Sequence, residues 1–565
     1  MPSFLSVLLG KVKSTYSNYP ALISIGVFLV VAFFYSLVYL DNSGISTIDD
    51  HFFYFEYAKM VKNEGWDGVK TFEGGYLTKK ENGQSKFGLS LFNIVNIPFT
   101  YIKNEIDGLK LSDIFVASSA LALFYYVLRK AKINYPLFFT FFLIVSPFFM
   151  HRLLMGRPYV LTTSLIFLEI FLASRKEYRI LFLVTLVHLF WHNSTFWLPL
   201  VMVGAVEMAR FLVVQKFFYK NIFAVSVATI LGMAFLPNFF NLWTWLRTIF
   251  IVQEGIMDNS LKVSGVELQT SDAFSGRFIG IDIFFIVAVA SITIVIFLYL
   301  RQRKILSDDM KRDSALAEYY IMAYASFIFF LIVVFGTMII SGRFYDYYQT
   351  TLVFLFAVVV TILQKERLII FKDVLHKYII VGSTVFILLV LLNNFIELKK
   401  TIGNIQYGNL IEAAKWIELN SDGKESVFIH NWSDFPRLFF GSSKNVYTAG
   451  MEPTALKQYN EVLYWRWYNM YRYNFYCEEL RDCEDNLRMV SDKLAKQKPE
   501  LGKEYAKESG RKMIVSIRKE FGSRFIVSDN ENFSRIIDSN PDLIEEHFEA
   551  KSGEDVSNVD VFKLK

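Results

Sequence analysis

Charge is scarce in this chain. Asp, Glu, Lys and Arg make up 20% of its 565 residues, against 53% hydrophobic residues and 57 Phe. A soluble domain of this length carries more charge, so the composition excludes an ordinary water-soluble enzyme and makes lipid part of the solvent. Missing too are a P-loop, a zinc-finger pattern and a basic stripe interleaved with base-stacking aromatics, which excludes nucleic acid as a partner. The first apolar stretch, 20–40, has no small-residue cleavage site and reads as a retained membrane helix, not a removed signal peptide. Only two cysteines occur, Cys477 and Cys483. In an oxidising compartment they would close a short disulfide loop; otherwise they are two thiols.

What the chain does have is a succession of apolar runs. Tracing them by length predicts about eleven spans, near 20–40, 111–128, 135–150, 159–174, 180–193, 195–213, 221–237, 278–300, 318–340, 349–363 and 378–396. Every second connection is basic: Lys11 and Lys13; Arg129, Lys130 and Lys132; Arg175, Lys176 and Arg179; Arg210, Lys216 and Lys220; Arg301 to Arg312; Lys365 to Lys377. With all of these in the cytoplasm the positive-inside rule is obeyed. The amino terminus is then inside and the chain after Asn394 outside. The expected fold class is an α-helical polytopic membrane protein, residues 1–400, with a carboxy-terminal extracytoplasmic α/β domain, residues 401–565. The localisation this implies is a multi-pass protein of an exporting membrane, with the bacterial inner membrane favoured.

The first outer segment, 41–110, is too long for a simple connection. Phe52, Phe55, Tyr57, Ala58 and Val61 recur at helical spacing with Glu56, Lys59 and Lys62 between them, predicting an amphipathic helix in the interface over 51–64. A second interfacial helix is expected over 86–102, broken by Gly88 and Pro98. The outer segment 238–277 carries Trp243 and Trp245, which favour headgroup level. Past residue 401, helices are expected over 409–420, 485–496 and 503–521. Strands are expected over 426–430 and 524–528, with a terminal edge strand over 559–564.

Ionised groups near a membrane are costly and therefore usually functional. Asp49 and Asp50 follow the first span directly and could act as a general base or help hold a divalent cation; alternatively they cap the next helix. The favoured division gives one Asp to each role. Arg152, Arg157 and Arg343 are the arginines of short outer connections. Their planar, permanently charged forks suit a lipid-linked phosphate, although snorkelling to headgroups is the plain alternative. His151 and His192, with His188 four residues before it on one helix face, are candidates for hydrogen bonding to phosphate or sugar; no third His or matching Cys suggests structural zinc. His51 is equally a packing residue or a ligand. The turn His430-Asn431-Trp432-Ser433-Asp434-Phe435-Pro436 suits sugar binding or domain packing alike.

An acidic motif (Asp49-Asp50) opening the first outer loop, two juxtamembrane helices after it, Arg157-Pro158 after an outward-ending span, and a terminal α/β domain together resemble the GT-C superfamily of membrane glycosyltransferases. Gly156-Arg157-Pro158, Gly342-Arg343-Phe344-Tyr345-Asp346-Tyr347 and Trp432-Ser433-Asp434-Phe435-Pro436 look like segments of its bacterial multispanning members. The resemblance implies one-step transfer of a sugar from a polyprenyl-phosphate-linked donor to a glycan, lipid or protein acceptor. Asp49 or Asp50 would be the base or acceptor-orienting group. No cofactor is required; a divalent metal is allowed but not indicated. The chain lacks the tryptophan-tryptophan-aspartate motif of the oligosaccharyltransferases, which argues against block transfer to asparagine. The competing readings are a polymerase or ligase of lipid-linked oligosaccharides and a transporter or flippase. The latter predicts inverted repeats and midplane ionisable residues.

Overall fold

Long apolar runs can satisfy their backbone in lipid only by coiling, and helices make up most of the molecule. The computed structural model describes residues 20–42, 44–45, 50–71, 90–235, 283–305, 314–339, 345–368, 373–403, 408–448, 450, 456–457, 460–477, 499–551 and 558–565. The membrane-side helices are α1 (Pro20–Tyr39), α2 (Asp50–Thr71), α3 (Leu91–Asn96), α4 (Glu105–Lys130), α5 (Pro136–Leu143), α6 (Pro147–Leu153), α7 (Tyr159–Ser174), α8 (Tyr178–Trp191), α9 (Leu198–Val214), α10 (Tyr219–Phe235), α11 (Ile283–Ile305), α12 (Ser314–Ile339), α13 (Tyr345–Lys365) and α14 (Asp373–Gly403).

By length and composition, five stretches among the described residues could cross a membrane: Pro20–Tyr39, Glu105–Lys130, Asn193–Val214, Leu316–Gly336 and Asp346–Lys365. The protein is thus membrane-embedded, but five is fewer than the eleven expected from the sequence. Tyr159–Ser174, Tyr178–Trp191 and Tyr219–Ala234 are apolar yet shorter, and at 1.5 Å per residue they fall below the roughly 30 Å hydrocarbon core. The run at 135–150 is not one span at all. Pro147 cannot continue a helix, and Ser146 accepts a bond from Phe149 N to start a new one, so the run divides into α5 and α6. Carbonyls freed by the break are recovered from neighbouring helices: Gln349 Nε2 donates to Leu143 O at 2.7 Å, and Asn394 Nδ2 to Val145 O.

Basic residues gather at one end of the bundle. Helices α4, α7 and α13 end there with Lys132, Lys176 and Arg367 in the left-handed conformation, where glycine is usual. In each the next residue's amide closes on the carbonyl five residues back, all at 2.9 Å. The cationic side chains complement the negative helix ends. Arg210 and Asn221 donate to the last carbonyls of α7, at Ala173 and Ser174, while Glu207 accepts from Phe218 N.

At the other end lies α2, and here the picture of a helix floating on lipid is corrected. Phe52 and Phe55 pack into the bundle core, while Phe53 and Tyr57 pack into the core of the carboxy-terminal unit. Both faces are covered by protein. Burying rings of this size stabilises by about 1.5–3 kcal/mol each. The backbone leaves helical geometry at Gly65, φ +64°. The second interfacial helix is α3 plus a 3-10 turn, Ile97–Tyr101, capped by Ser90 and tightened at Pro98.

The terminal unit contains α15 (Gly408–Asn420), β1 (Ser426–Ile429), α16 (Phe435–Gly441), β2 (Val446–Tyr447), α17 (Glu461–Tyr473), α18 (Pro499–Lys519), β3 (Ser523–Ser528), α19 (Glu531–Asp538), β4 (Ile544–Ala550) and β5 (Val559–Leu564). The sheet order is β2-β1-β3-β5-β4, parallel across its first three strands and antiparallel thereafter. Alternation sets two cores: Val427, Ile429, Phe525, Val527 and Val561 face α15, α16 and α2, while Phe428, Ile526 and Phe562 face α17, α18 and α19. The segment 559–564 is therefore interior, not an edge. The edge is β4, whose Glu545, Glu546 and Glu549 suit a solvated strand and hid it from the sequence reading. Cys477 is buried and disulfide-bonded. The chain's other cysteine, Cys483, lies outside the described residues, as do the helix expected at 485–496 and the whole 238–277 segment.

Glu56 on α2 marks the seam. It bonds Ser443 of the terminal unit, and burial pushes its carboxyl up from 4.5 to about 7, against the pull of Lys59. The folded chain then holds this proton more tightly than the unfolded one, so stability falls as pH rises from about 4.5 to about 7 and is flat beyond. Thermal unfolding in detergent should show Tm falling across that window; Glu56→Gln should reduce the slope, and an unchanged slope would refute the assignment.

Candidate functional site

Two adjacent pairs of residues face one another at the α2 end of the bundle. Asp50 and His51 open α2; Gly156 and Arg157 lie in the turn between α6 and α7. Arg157 Nε is 3.4 Å from Asp50 Oδ2, an ion-pair distance, with the Arg157 side chain 10% and the Asp50 side chain 24% exposed. Asp50 stands in the first turn of its helix, where a carboxylate is favoured by the helix dipole. It thus occupies the capping region and pairs with arginine at once. Asp49 and Arg343 lie outside the described residues.

Beneath that pair is a fully buried polar cluster. His51 Nδ1 sits 2.6 Å from Asp113 Oδ1, an ion-pair approach off the line of a good hydrogen bond. Tyr39 OH donates to Asp113 Oδ2 at 2.9 Å. Ser112 Oγ lies 3.1 Å from His51 Nε2 and donates to Asn96 Oδ1 at 2.8 Å. His51 is therefore neither surface packing nor an open ligand; it binds α2 to α4. Asp113 was passed over in the sequence because it sits inside an expected span. A carboxylate at that depth is itself the signal that could have found it.

The remaining candidates disperse around this centre. Arg152 turns to Asp346 at the start of α13, with Nε at 2.9 Å and Nη2 at 2.5 Å from Oδ1, and its guanidinium lies 5.0 Å from the centre of the Tyr159 ring. His151, half-buried on α6, precedes it. His192 ends α8 and approaches Thr162 Oγ1 at 3.2 Å; the Thr162 hydroxyl also donates to Pro158 O, as Trp191 Nε1 does, tying α8 to the Arg157-Pro158 turn. Arg152 and Arg157 thus flank one turn but are held by different carboxylates.

His188 does not share a role with His192. Its ring is fully buried, with Nδ1 3.0 Å from Glu169 Oε1 and Nε2 3.1 Å from Thr195 Oγ1. Both ring nitrogens are occupied, which leaves nothing for a phosphate or sugar. Glu169, like Asp113, is a buried carboxylate whose partner the sequence order conceals.

A cleft of about 490 Å³ opens at the same end, between the termini of α1 and α14, lined by Asp41, Asn42, Ile396, Lys399 and Lys400. Asn42 forms its floor: Nδ2 donates to Lys399 O at 2.6 Å, and its own carbonyl accepts from Lys110 Nζ at 2.5 Å. Among the described residues no three His, Cys, Asp or Glu side chains gather as a metal site requires.

In the terminal unit, the His430–Pro436 turn leaves the carboxyl end of β1 and is largely packed. His430 Nε2 meets Met470 O and Asn474 Oδ1, and burial lowers its pKa to about 4. Burial raises Asp434 to about 8 against the pull of Arg437. Core packing accounts for these residues.

Glu169→Ala should strip a buried partner from His188 and cost about 3 kcal/mol. A thermal-shift measurement should register that loss, and full stability in the variant would contradict the buried pair. No family model matches this chain, and no curated protein matches it.

Proposed function

We propose that the protein is a membrane glycosyltransferase that moves a sugar from a polyprenyl-phosphate-linked donor to a glycan, lipid or protein acceptor at the α2 end of the bundle. The observation carrying this reading is the Asp50–Arg157 pair: an accessible carboxylate beside a largely buried guanidinium, at the lip of a membrane bundle and beneath an α/β unit. Asp50, or Asp49 before it, takes the proton of the acceptor hydroxyl as that oxygen attacks the anomeric carbon. The carbon–oxygen bond to phosphate breaks, polyprenyl phosphate leaves with the electron pair, and the anomeric configuration inverts. Arg157 is placed to neutralise the departing phosphate. Arg152, His151, His192 and Arg343 are further candidates to hold the donor phosphate or sugar, and no cofactor enters this chemistry. A bacterial inner-membrane location, with the α2 end and the terminal unit outside the cytoplasm, belongs to the same proposal.

A transporter has one observation in its favour, the ionisable Glu169–His188 pair inside the bundle. In that pair both His188 ring nitrogens are taken, by Glu169 Oε1 and by Thr195, and all three side chains are buried, which favours a structural part for it.

Purified protein should transfer labelled sugar from a polyprenyl-phosphate donor to an acceptor. Asp50→Asn with Asp49→Asn should lower turnover by about 10²–10⁴-fold. Intact turnover in that double variant would remove the assignment.

A further inference from the structure

The His51–Asp113 pair and Gly156 supply what an ion pair at a membrane lip otherwise lacks, a fixed orientation. We propose that His51, Asp113 and Gly156 are positioning residues that set Asp50 against Arg157, an inference that rests on the reading of that pair given above.

Side-chain chemistry first fixes where the protons lie. Ser112 has one hydroxyl hydrogen, and it is given to Asn96 Oδ1 at 2.8 Å. Toward His51 Nε2, 3.1 Å away, Ser112 can only accept, so Nε2 carries a hydrogen. On the other side, Nδ1 and Asp113 Oδ1 approach to 2.6 Å. Two bare lone pairs would repel at that separation, so one of the two groups carries a proton. The pair is neutral overall whichever atom holds that proton, which suits a site with both side chains fully buried. With both ring nitrogens engaged and Tyr39 OH on the second carboxylate oxygen, the imidazole cannot turn. Neither can the first turn of α2.

That rotation decides where Asp50 points. Asp50 and His51 are consecutive on one helix, so their side chains are about 100° apart around its axis. Locking His51 inward leaves Asp50 directed toward the 156–157 turn.

Gly156 fixes the other half. Its φ is +57°, and a Cβ there would fall 2.1 Å from both His51 Nδ1 and Asp113 Oδ1. Both atoms belong to locked groups, so no side chain is accommodated, and the left-handed backbone would strain one in any case. The Gly156 backbone thus packs directly against His51 and Asp113, and the next residue is Arg157. Two neighbouring contacts in register, His51 with Gly156 and Asp50 with Arg157, share one geometry.

The test compares Asp113→Asn, His51→Gln and the double variant in the transfer assay, with Tm and size-exclusion profiles of each. Each single change should lower kcat by about 100-fold with the donor KM near wild type. The double variant should be no worse than either single one, because the two residues act as one unit. A folded Asp113→Asn protein with unchanged kcat, or losses that multiply in the double variant, would overturn the proposal. A second arm needs no turnover. Oxidative cross-linking of an Asp50→Cys, Arg157→Cys protein should slow at least several-fold when Asp113→Asn or Gly156→Ala is added; an unchanged rate in a folded protein would overturn it. If the wild type transfers no sugar from any polyprenyl-phosphate donor, the proposed reaction falls, and cross-linking alone decides the positioning role.

Discussion

The helix α2 is held on both faces, and the arrangement of the candidate site follows from that constraint. Phe52 and Phe55 belong to the bundle while Phe53 and Tyr57 belong to the α/β unit, so the helix can neither slide nor roll without opening an apolar core. Its first turn is held again through His51, by the ion-pair approach to Asp113 and the hydrogen bond with Ser112. An amphipathic helix in lipid would have one committed face and a free azimuth; this one has neither freedom. The carboxylate it carries is consequently presented in one direction, toward Arg157.

The bundle handles its polar groups by a consistent rule. Each buried ionisable side chain described above closes on an opposite charge or a backbone group of another helix: Asp113 with His51, Glu169 with His188, Arg210 with Glu207 and the end of α7, Arg152 with Asp346. Leaving any of them unpaired in an apolar interior would cost several kcal/mol. Asp113 with His51 and Arg152 with Asp346 join helices far apart in sequence, Glu169 with His188 joins the consecutive α7 and α8, and Arg210 ties α9 to the end of α7, so these contacts help fix which helices are neighbours. The pair nearest the mouth, Asp50 with Arg157, is the more exposed of those that bear on the site, and exposure is what a reacting group needs.

Much of the fold could be read from the sequence. Apolar periodicity located α1, α4, α7 through α14 and α2 with ends displaced by up to about seven residues, and the strands at 426–429 and 523–528 stood out as short β-branched and aromatic runs. Several elements escaped, among them α16, α17, α19 and β2 in the terminal unit, and two cases show why. The division of 135–150 into α5 and α6 turns on one Ser-Pro step inside an otherwise uniform run. The strand β4 is hidden because three glutamates make it look like a solvated loop until β5 pairs with it. In the site, Asp50 and Arg157 were visible because charge at a membrane edge is conspicuous. Asp113 and Ser112 were not, because a polar residue within an apolar helix declares its purpose only when its partner is known.

The sequence by itself determined the solvent of this protein, the helical periodicity of its spans, the alternation of its basic connections and the change of texture that begins the α/β unit. All of these are properties of residues near one another along the chain. Tertiary structure alone decided that His51 meets Asp113, that Gly156 closes over both, and that Arg152 turns to Asp346 instead of joining Arg157. Those choices are made by contacts across 43 to 194 residues of chain, where hydrogen-bond geometry and close packing select one partner from several that composition permits.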